Sequence, residues 1–283
     1  MTLHQDSERL LSEVSRFLCD HPHAITGEDL RSLGLPDDEE AYRVLLAAWL
    51  GFDTEQQGDA ALCRAVMPEM VRKLDPSPFR NDPYAAALGS VSGSAGAFRL
   101  GRDCIRAYEL FVRDDMIRLP DGHVIPRLGF FPEDYSFPAL WENGRLWMTV
   151  TPNEVNTIRP AAEQSHGQVL CLGLGLGYYA FHALRNPAVS RLTVVERDAG
   201  LIGLFRRLIL PHMPYPDKLT LVCGDGFEAV RKMQAGEYDT VFADLWHDAG
   251  DGLPMYERLR GMEKPGADYL YWIEPTMKLY LEG

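Results

Sequence analysis

Three glycines at alternate positions, Gly173, Gly175 and Gly177, follow the apolar run Val169-Leu170-Cys171-Leu172. Glu196 stands 19 residues beyond Gly177, at the end of a second apolar run, Leu192-Thr193-Val194-Val195. The spacing reads as a strand, a tight loop, a helix and a second strand with a carboxylate at its C-terminal end. In a parallel sheet those two strand ends are neighbours and frame a crevice suited to an adenosine-type ligand. Glycines let the backbone approach the ligand, and one carboxylate can accept both hydrogens of a ribose diol. A third apolar run ends in Cys223-Gly224-Asp225-Gly226-Phe227. There Asp225 can accept from an exocyclic amine and Phe227 can stack on a ring. Asp225 fits equally well as the N-cap of a following helix. A fourth run ends in Asp244-Leu245-Trp246-His247-Asp248, the densest polar cluster of the chain. Asp244 is placed to hold a substrate amine or the cofactor's ammonium group, and His247 or Asp248 to take a proton from a nucleophile. His247, the aspartates and Glu274 are also metal-capable residue types. No paired-ligand spacing supports a metal, so none is expected.

The identity of the ligand turns on Tyr178. A dinucleotide fingerprint, G-x-G-x-x-G, needs its third glycine there, where the helix packs closely on the strand and the pyrophosphate meets the helix N-terminus. Here the glycine falls one place earlier, at Gly177, and a bulky aromatic follows. That spacing suits a nucleoside without a pyrophosphate and points to S-adenosylmethionine as the cofactor. The expected contacts are Gly173, Leu174, Gly175, Gly177, Tyr178, Glu196, Arg197, Asp225, Gly226, Phe227 and Asp244.

The elements that must position these residues alternate from residue 167 onward. Strands are predicted at 169–173, 191–196, 219–223, 238–244 and 268–274, with helices at about 177–186, 199–210, 226–234 and 253–262. Repeated βα units imply a parallel, right-handed, doubly wound sheet. The continuous apolar character of 219–223 and 240–243 implies strands covered on both faces. Upstream, helical spacing runs over 5–20. Thr26 and Asp37 read as caps of two further helices, the second with Tyr42, Leu45, Leu46 and Trp49 on one face. A fourth helix covers about 58–74. Three short helices with a Gly-Leu-Pro turn resemble a helix-turn-helix, but a helical bundle is the favoured reading. Residues 75–100 are rich in Pro, Gly and Ser and read as a linker. Asn143-Gly144 between two apolar runs marks a β-hairpin over 139–148, and Thr151-Pro152-Asn153-Glu154 opens a helix. The implied domains are a helical region over 1–75, a linker and small β-rich segment over 76–150, and the cofactor domain over 151–283. Residues from about 100 to 155 are expected to cover the strand ends. Tyr135, Trp147, Asn153 and Glu154, together with Trp246, are the candidate acceptor contacts.

The chain has 283 residues and a formal net charge of −13, most of it in the first 165 residues. No basic stripe suited to a phosphate backbone is present, which argues against nucleic acid as a partner. No apolar run approaches the roughly 20 residues of a membrane span, and the polar N-terminus is unlike a signal peptide. Five scattered cysteines without a C-x-x-C pair fit free thiols in a reducing cytoplasm. Two of them, Cys171 and Cys223, fall in strands expected to be buried. A small-molecule or protein acceptor is the expected partner, and a homodimer the assembly to test.

The order GLGLG, VVERD, VCGDGFE and YDTVFADLWHD resembles the class I S-adenosylmethionine-dependent methyltransferase superfamily over about residues 150–275. The resemblance implies a Rossmann-like, doubly wound, mostly parallel α/β sheet of the methyltransferase type. Here that sheet would follow an N-terminal helical region and a small β-hairpin segment. It also implies that Gly173, Gly175 and Gly177 contact the cofactor, Glu196 the ribose, Asp225 the adenine and Asp244 the methionine end. The runs TPNEV, GLGLGYYA, LILPHMP, DLWHD and YWIE resemble a bacterial group of predicted methyltransferases. The hairpin and the Gly-Asp-Gly after the third strand are similar to spermidine synthases. Two departures stand out: Cys171 occupies a position that is acidic in many methyltransferases. His247 stands where spermidine synthases carry the second Asp of D-x-x-D-P, and no Pro follows Asp248. The chain also ends soon after the fifth strand, so either the sheet is truncated or the hairpin covers its edge. The implied function is S-adenosylmethionine-dependent methyl transfer, with aminopropyl transfer as the alternative. Non-catalytic nucleoside binding or sensing is the alternative of another class.

Overall fold

The computed structural model describes residues 3–282. The chain begins with α1 (Leu3–Asp20), α2 (Gly27–Ser32), α3 (Asp38–Trp49) and α4 (Gln57–Met70), followed by β1 (Val71–Lys73) and the short α5 (Ser77–Arg80). Leu10, Val14 and Phe17 recur at helical spacing and are buried along α1. Thr26 and Asp37 cap α2 and α3 through side-chain acceptors, as their types predict. Tyr42 and Leu46 of α3 are buried, but Trp49 is 46% exposed at the helix end, so it is not core as the pattern implied. The fourth helix stops at Met70, and the residues after it form β1.

Next come α6 (Pro83–Ala87), β2 (Gly93–Ala95), β3 (Phe98–Ile105), β4 (Phe111–Arg118) and β5 (Val124–Phe130). The hairpin strands are β6 (Tyr135–Glu142) and β7 (Arg145–Thr149). Their turn has positive φ at both Asn143 (51°) and Gly144 (80°), the conformation that Asn-Gly favours. The Gly-Ser stretch is not a plain linker, since Gly93–Ala95 pairs antiparallel with β3.

Two compact units result, interleaved along the sequence rather than consecutive. One comprises the chain up to Arg80, Cys104–Ser136 and the last residues from Leu281; the other comprises Asn81–Asp103 and Phe137–Tyr280. In the first, α1–α4 share an apolar core with a sheet of order β1-β5-β4, in which β1 runs parallel and β4 antiparallel to β5. A four-stranded sheet has the order β2-β3-β6-β7.

The second unit continues through α7 (Pro152–Gln164), β8 (Gly167–Leu172), α8 (Tyr178–Arg185), β9 (Val189–Glu196) and α9 (Ala199–Leu204). It ends with β10 (Leu219–Cys223), α10 (Gly226–Lys232), β11 (Thr240–Ala243), α11 (Ala249–Arg260), β12 (Asp268–Tyr271) and α12 (Glu274–Leu281). These five strands pair in the order β10-β9-β8-β11-β12, and every pairing is parallel. This is the expected α/β fold with a parallel sheet. Strand order reverses direction between β8 and β11, so the loops leaving those two strands flank a crevice. The register sets Leu172 opposite both Val195 and Ala243, and Glu196 opposite Cys223, which brings the chemical strand ends to one edge.

Three expectations are corrected. β10 is an edge strand with Val222 41% exposed and Cys223 exposed, so its apolar run is not covered on both faces. Residues 272–274 leave the sheet, and Glu274 starts α12. The hairpin belongs to the separate four-stranded sheet, while in the parallel sheet β12 borders β11 alone.

Candidate functional site

The glycine loop is shaped by contacts as well as by conformation. Gly173 has φ +96°, and a Cβ there would lie 2.1 Å from the Asp244 carbonyl oxygen. Gly177 has φ +79°, and its Cβ would meet the Phe205 ring at 2.5 Å. Both positions therefore need glycine for packing alone. Gly175, with φ +51°, differs: the nearest atom to its would-be Cβ is the Met148 sulfur at 3.6 Å, so it borders open space. The adjacent cavity has a volume of about 340 Å³ and is walled by the loop, by β7 and α7, and by the ends of β9, β10 and β11.

Glu196 is buried at the end of β9, where its Oε2 accepts from the Leu174 amide (3.1 Å) and its Oε1 from the Asp198 amide (2.8 Å). These bonds fix the carboxylate against the loop, and each oxygen keeps a second lone pair. Asp225 caps α10, as one of its two readings has it, by accepting from the Glu228 amide at 2.9 Å, and it also lines the cavity. Arg197, Gly226 and Phe227 lie on the same wall, and the Arg258 guanidinium sits 4.0 Å over the Phe227 ring. Leu174, Gly173, Gly177 and Tyr178 complete that side. The Tyr178 hydroxyl faces away from a ligand, since it donates to Asp82 (2.9 Å) and meets Arg159 (3.1 Å).

At the other end, Glu154 and Asp244 share the cavity. Burial pushes Glu154 up to about 8, and the Asp244 charge adds to this. Burial likewise pushes Asp244 up to about 7, against an opposing pull from His247. The Glu154 oxygens accept from the Thr151 amide and the Thr149 hydroxyl, both at 3.3 Å. Trp147, Trp246 and His247 also line this end. Cys171 lies beneath, where its thiol donates to the Gly173 carbonyl at 3.1 Å and burial raises its pKa. An anion at Cys171 is therefore disfavoured, and the acidic groups open to the cavity at this end are the carboxyls of Glu154 and Asp244.

Three sequence candidates lie elsewhere. Tyr135 is buried in the first unit, packed edge-on to Phe79 at 6.1 Å and against Phe131 at 5.1 Å. Its pattern is that of core, and it is not among the cavity residues. Asn153 is not among the cavity residues; its carbonyl accepts from Thr157 within α7. Asp248 caps α11, accepting from the Gly250 and Asp251 amides at 2.6 and 3.2 Å, and does not line the cavity. Glu274 is engaged by Tyr256, Arg260 and Lys278. Among the described residues, no group of three His, Cys, Asp or Glu side chains could hold a metal ion.

Sequence reasoning missed a buried cluster behind the glycine loop. Asp82 caps α6, pairs with Arg159, lies 3.4 Å from His182 and accepts from Tyr178. Burial acts to raise Asp82, but its hydrogen bonds and the cations beside it prevail and hold it at about 2. The Tyr84 hydroxyl donates to the Leu176 carbonyl within the loop itself. Asn81-Asp82-Pro83 carries the signature of an N-cap, which was the available signal.

Residues 157–262 match the Spermine/spermidine synthase domain. Among curated proteins, putrescine N-methyltransferase 1 of Nicotiana tabacum is 33% identical over 94 residues, which is 32% of this chain and 25% of that protein. Polyamine aminopropyltransferase 2 of Streptomyces coelicolor is 37% identical over 93 residues, 31% of this chain and 17% of that protein. The chain thus spans about a quarter of the length of the first of these relatives. The crystal structure of spermidine synthase from Thermotoga maritima aligns with a TM-score of 0.34 at 19% identity, covering 62% of this chain and 53% of that one. No described helix is long and apolar enough to cross a membrane.

Proposed function

We propose that the protein is a transferase that moves a methyl group from S-adenosylmethionine to an amine. The observation that carries this reading is a single cavity with two chemically distinct ends. One end has an anchored carboxylate, Glu196, beside an open glycine, and the other has two partly buried carboxyls, Glu154 and Asp244. The donor set fits the nucleoside: Glu196 for the ribose hydroxyls, Asp225 for the adenine amine, and Gly175 for close backbone approach. When bound, S-adenosylmethionine supplies an electrophilic methyl group on a sulfonium. Glu154 and Asp244 are placed to hold a cationic amine, whose charge would offset their own burial. The putrescine N-methyltransferases among the relatives favour this acceptor class. Methyl transfer to a correctly aligned amine needs little beyond positioning and a proton acceptor.

Aminopropyl transfer from decarboxylated S-adenosylmethionine is the second reading. The aminopropyltransferase relative favours it, as does the cavity wall itself, where Glu154 and Asp244 disfavour a carboxylate-bearing donor. Calorimetry against S-adenosylmethionine, S-adenosylhomocysteine, decarboxylated S-adenosylmethionine and NAD tests the donor. Product analysis with putrescine as the probe amine then tests the acceptor. Methylated putrescine is the expected product. Binding of NAD alone, or no product from any amine with either donor, would refute the proposal.

A further inference from the structure

We propose that His247 is the base that removes the proton from the attacking amine, and that Asp251 is the positioning residue that fixes its tautomer. On this assignment, the Trp147 indole occupies the basic nitrogen until the amine arrives. This rests on the amine-transfer reading above and assigns roles that reading leaves open. His247 follows β11 and lines the cavity, and its Nδ1 lies 3.1 Å from Asp251 Oδ2. On the other side, the Trp147 indole nitrogen is 3.3 Å from His247 Nε2. An indole N–H can only donate, so Nε2 carries a lone pair and the imidazole hydrogen sits on Nδ1, where it donates to Asp251. The geometry thus settles the tautomer from both sides. Asp251 is itself held by the amides of His247 (3.0 Å) and Asp248 (3.1 Å), one helical turn away. Burial acts to raise its pKa, but these bonds and the imidazole leave it below its ordinary value, so it stays a carboxylate. Trp147 is supported from behind by Phe98, stacked at 5.3 Å. The charged groups around His247 are Asp244, Asp248 and Asp251, and from β7 it meets an uncharged indole.

An ammonium N–H is a stronger donor to Nε2 than a neutral indole N–H, so a bound amine displaces Trp147. The N–H bond then breaks and its proton passes to Nε2. The freed lone pair forms the N–C bond to the sulfonium's methyl carbon as the C–S bond breaks, and a neutral thioether leaves. Asp251 balances the imidazolium, as the orienting carboxylate of a catalytic triad does.

The test uses 15N-labelled full chain. In the ligand-free protein, His247 is expected as the Nδ1–H tautomer, and D251N as a mixture of both. Adding putrescine with S-adenosylhomocysteine is expected to shift the Trp147 indole resonance. In turnover with S-adenosylmethionine and putrescine, H247A should lose about 100-fold or more and D251N about 10-fold, with donor affinity within twofold of wild type. An Nε2–H tautomer in the ligand-free protein, or undiminished turnover in H247A, overturns the assignment and leaves the transferase reading standing. Absence of product from the wild-type protein with every amine and either donor overturns both.

Discussion

Replacing Glu154 by Gln should make the stability curve cross that of the wild type as pH rises. The folded-state value of Glu154, about 8, lies above its ordinary value, so the folded protein binds an additional proton between the two. The associated stability is intact below about pH 4 and is lost as pH climbs through about 8. A tenfold change in an ionisation equilibrium is about 1.4 kcal/mol, which puts the loss at no more than roughly 4 kcal/mol by pH 8. The side chain borders an open cavity, so about 2 kcal/mol is the figure to expect after solvent screening. Glutamine removes this titration but also loses one of the bonds to Thr151 and Thr149, at about 1 kcal/mol at any pH. E154Q is therefore expected to be about 1 kcal/mol less stable at pH 5 and about 1 kcal/mol more stable above pH 8. Urea denaturation followed by tryptophan fluorescence reads this directly, because Trp141, Trp147, Trp246 and Trp272 all lie in the second unit. Parallel curves from pH 5 to 8.5 would mean that Glu154 ionises as freely in the fold as in water, and would remove the argument for an amine-binding end.

Amine binding at pH 7.5 should release protons, because a cation beside Glu154 and Asp244 lowers both from about 8 and about 7. Calorimetry in buffers of different ionisation enthalpy measures the release, and no buffer dependence would contradict the assigned site. Gly173→Ala should abolish donor binding and cost several kcal/mol, since its Cβ would overlap the Asp244 carbonyl oxygen at positive φ. A melting temperature within a few degrees of wild type would refute the packing account. Asp82→Asn should destabilise the second unit by about 3 kcal/mol by leaving Arg159 poorly paired; denaturant unfolding checks it, and a change under 1 kcal/mol would show the cluster to be dispensable. Asp248→Ala should cost about 1 kcal/mol through loss of the α11 cap while leaving donor affinity unchanged. A tenfold fall in affinity would return Asp248 to the binding site.

The sequence alone determined the order of the βα units and which residues stand at the ends of the first four parallel strands; the fifth ends three residues earlier than its apolar run implied. Apolar runs separated by helical patterns imply parallel βα units, and parallel strands place all their C-terminal ends at one edge. Gly173–Gly177, Glu196, Asp225 and Asp244 were therefore legible as neighbours at one sheet edge, where they line one cavity. Local caps were legible for the same reason: Thr26, Asp37 and Thr151 act on amides two or three residues away. Tertiary structure decided everything that depends on strand order and distant partners. Val222 and Cys223 are exposed because β10 is an edge, and nothing in their own apolar period distinguishes an edge strand from a central one. Tyr135 and Trp147 are both aromatics on strands, yet one is packed in a core and the other reaches His247 across 100 residues of sequence. The Tyr178 hydroxyl finds Asp82 96 residues away. Glu154 and Asp244 are raised because the fold buries them at one cavity, with the Asp244 charge adding to the effect at Glu154. Periodicity reports which face of an element is apolar; which other element covers that face, and how much water remains there, is settled by long-range packing.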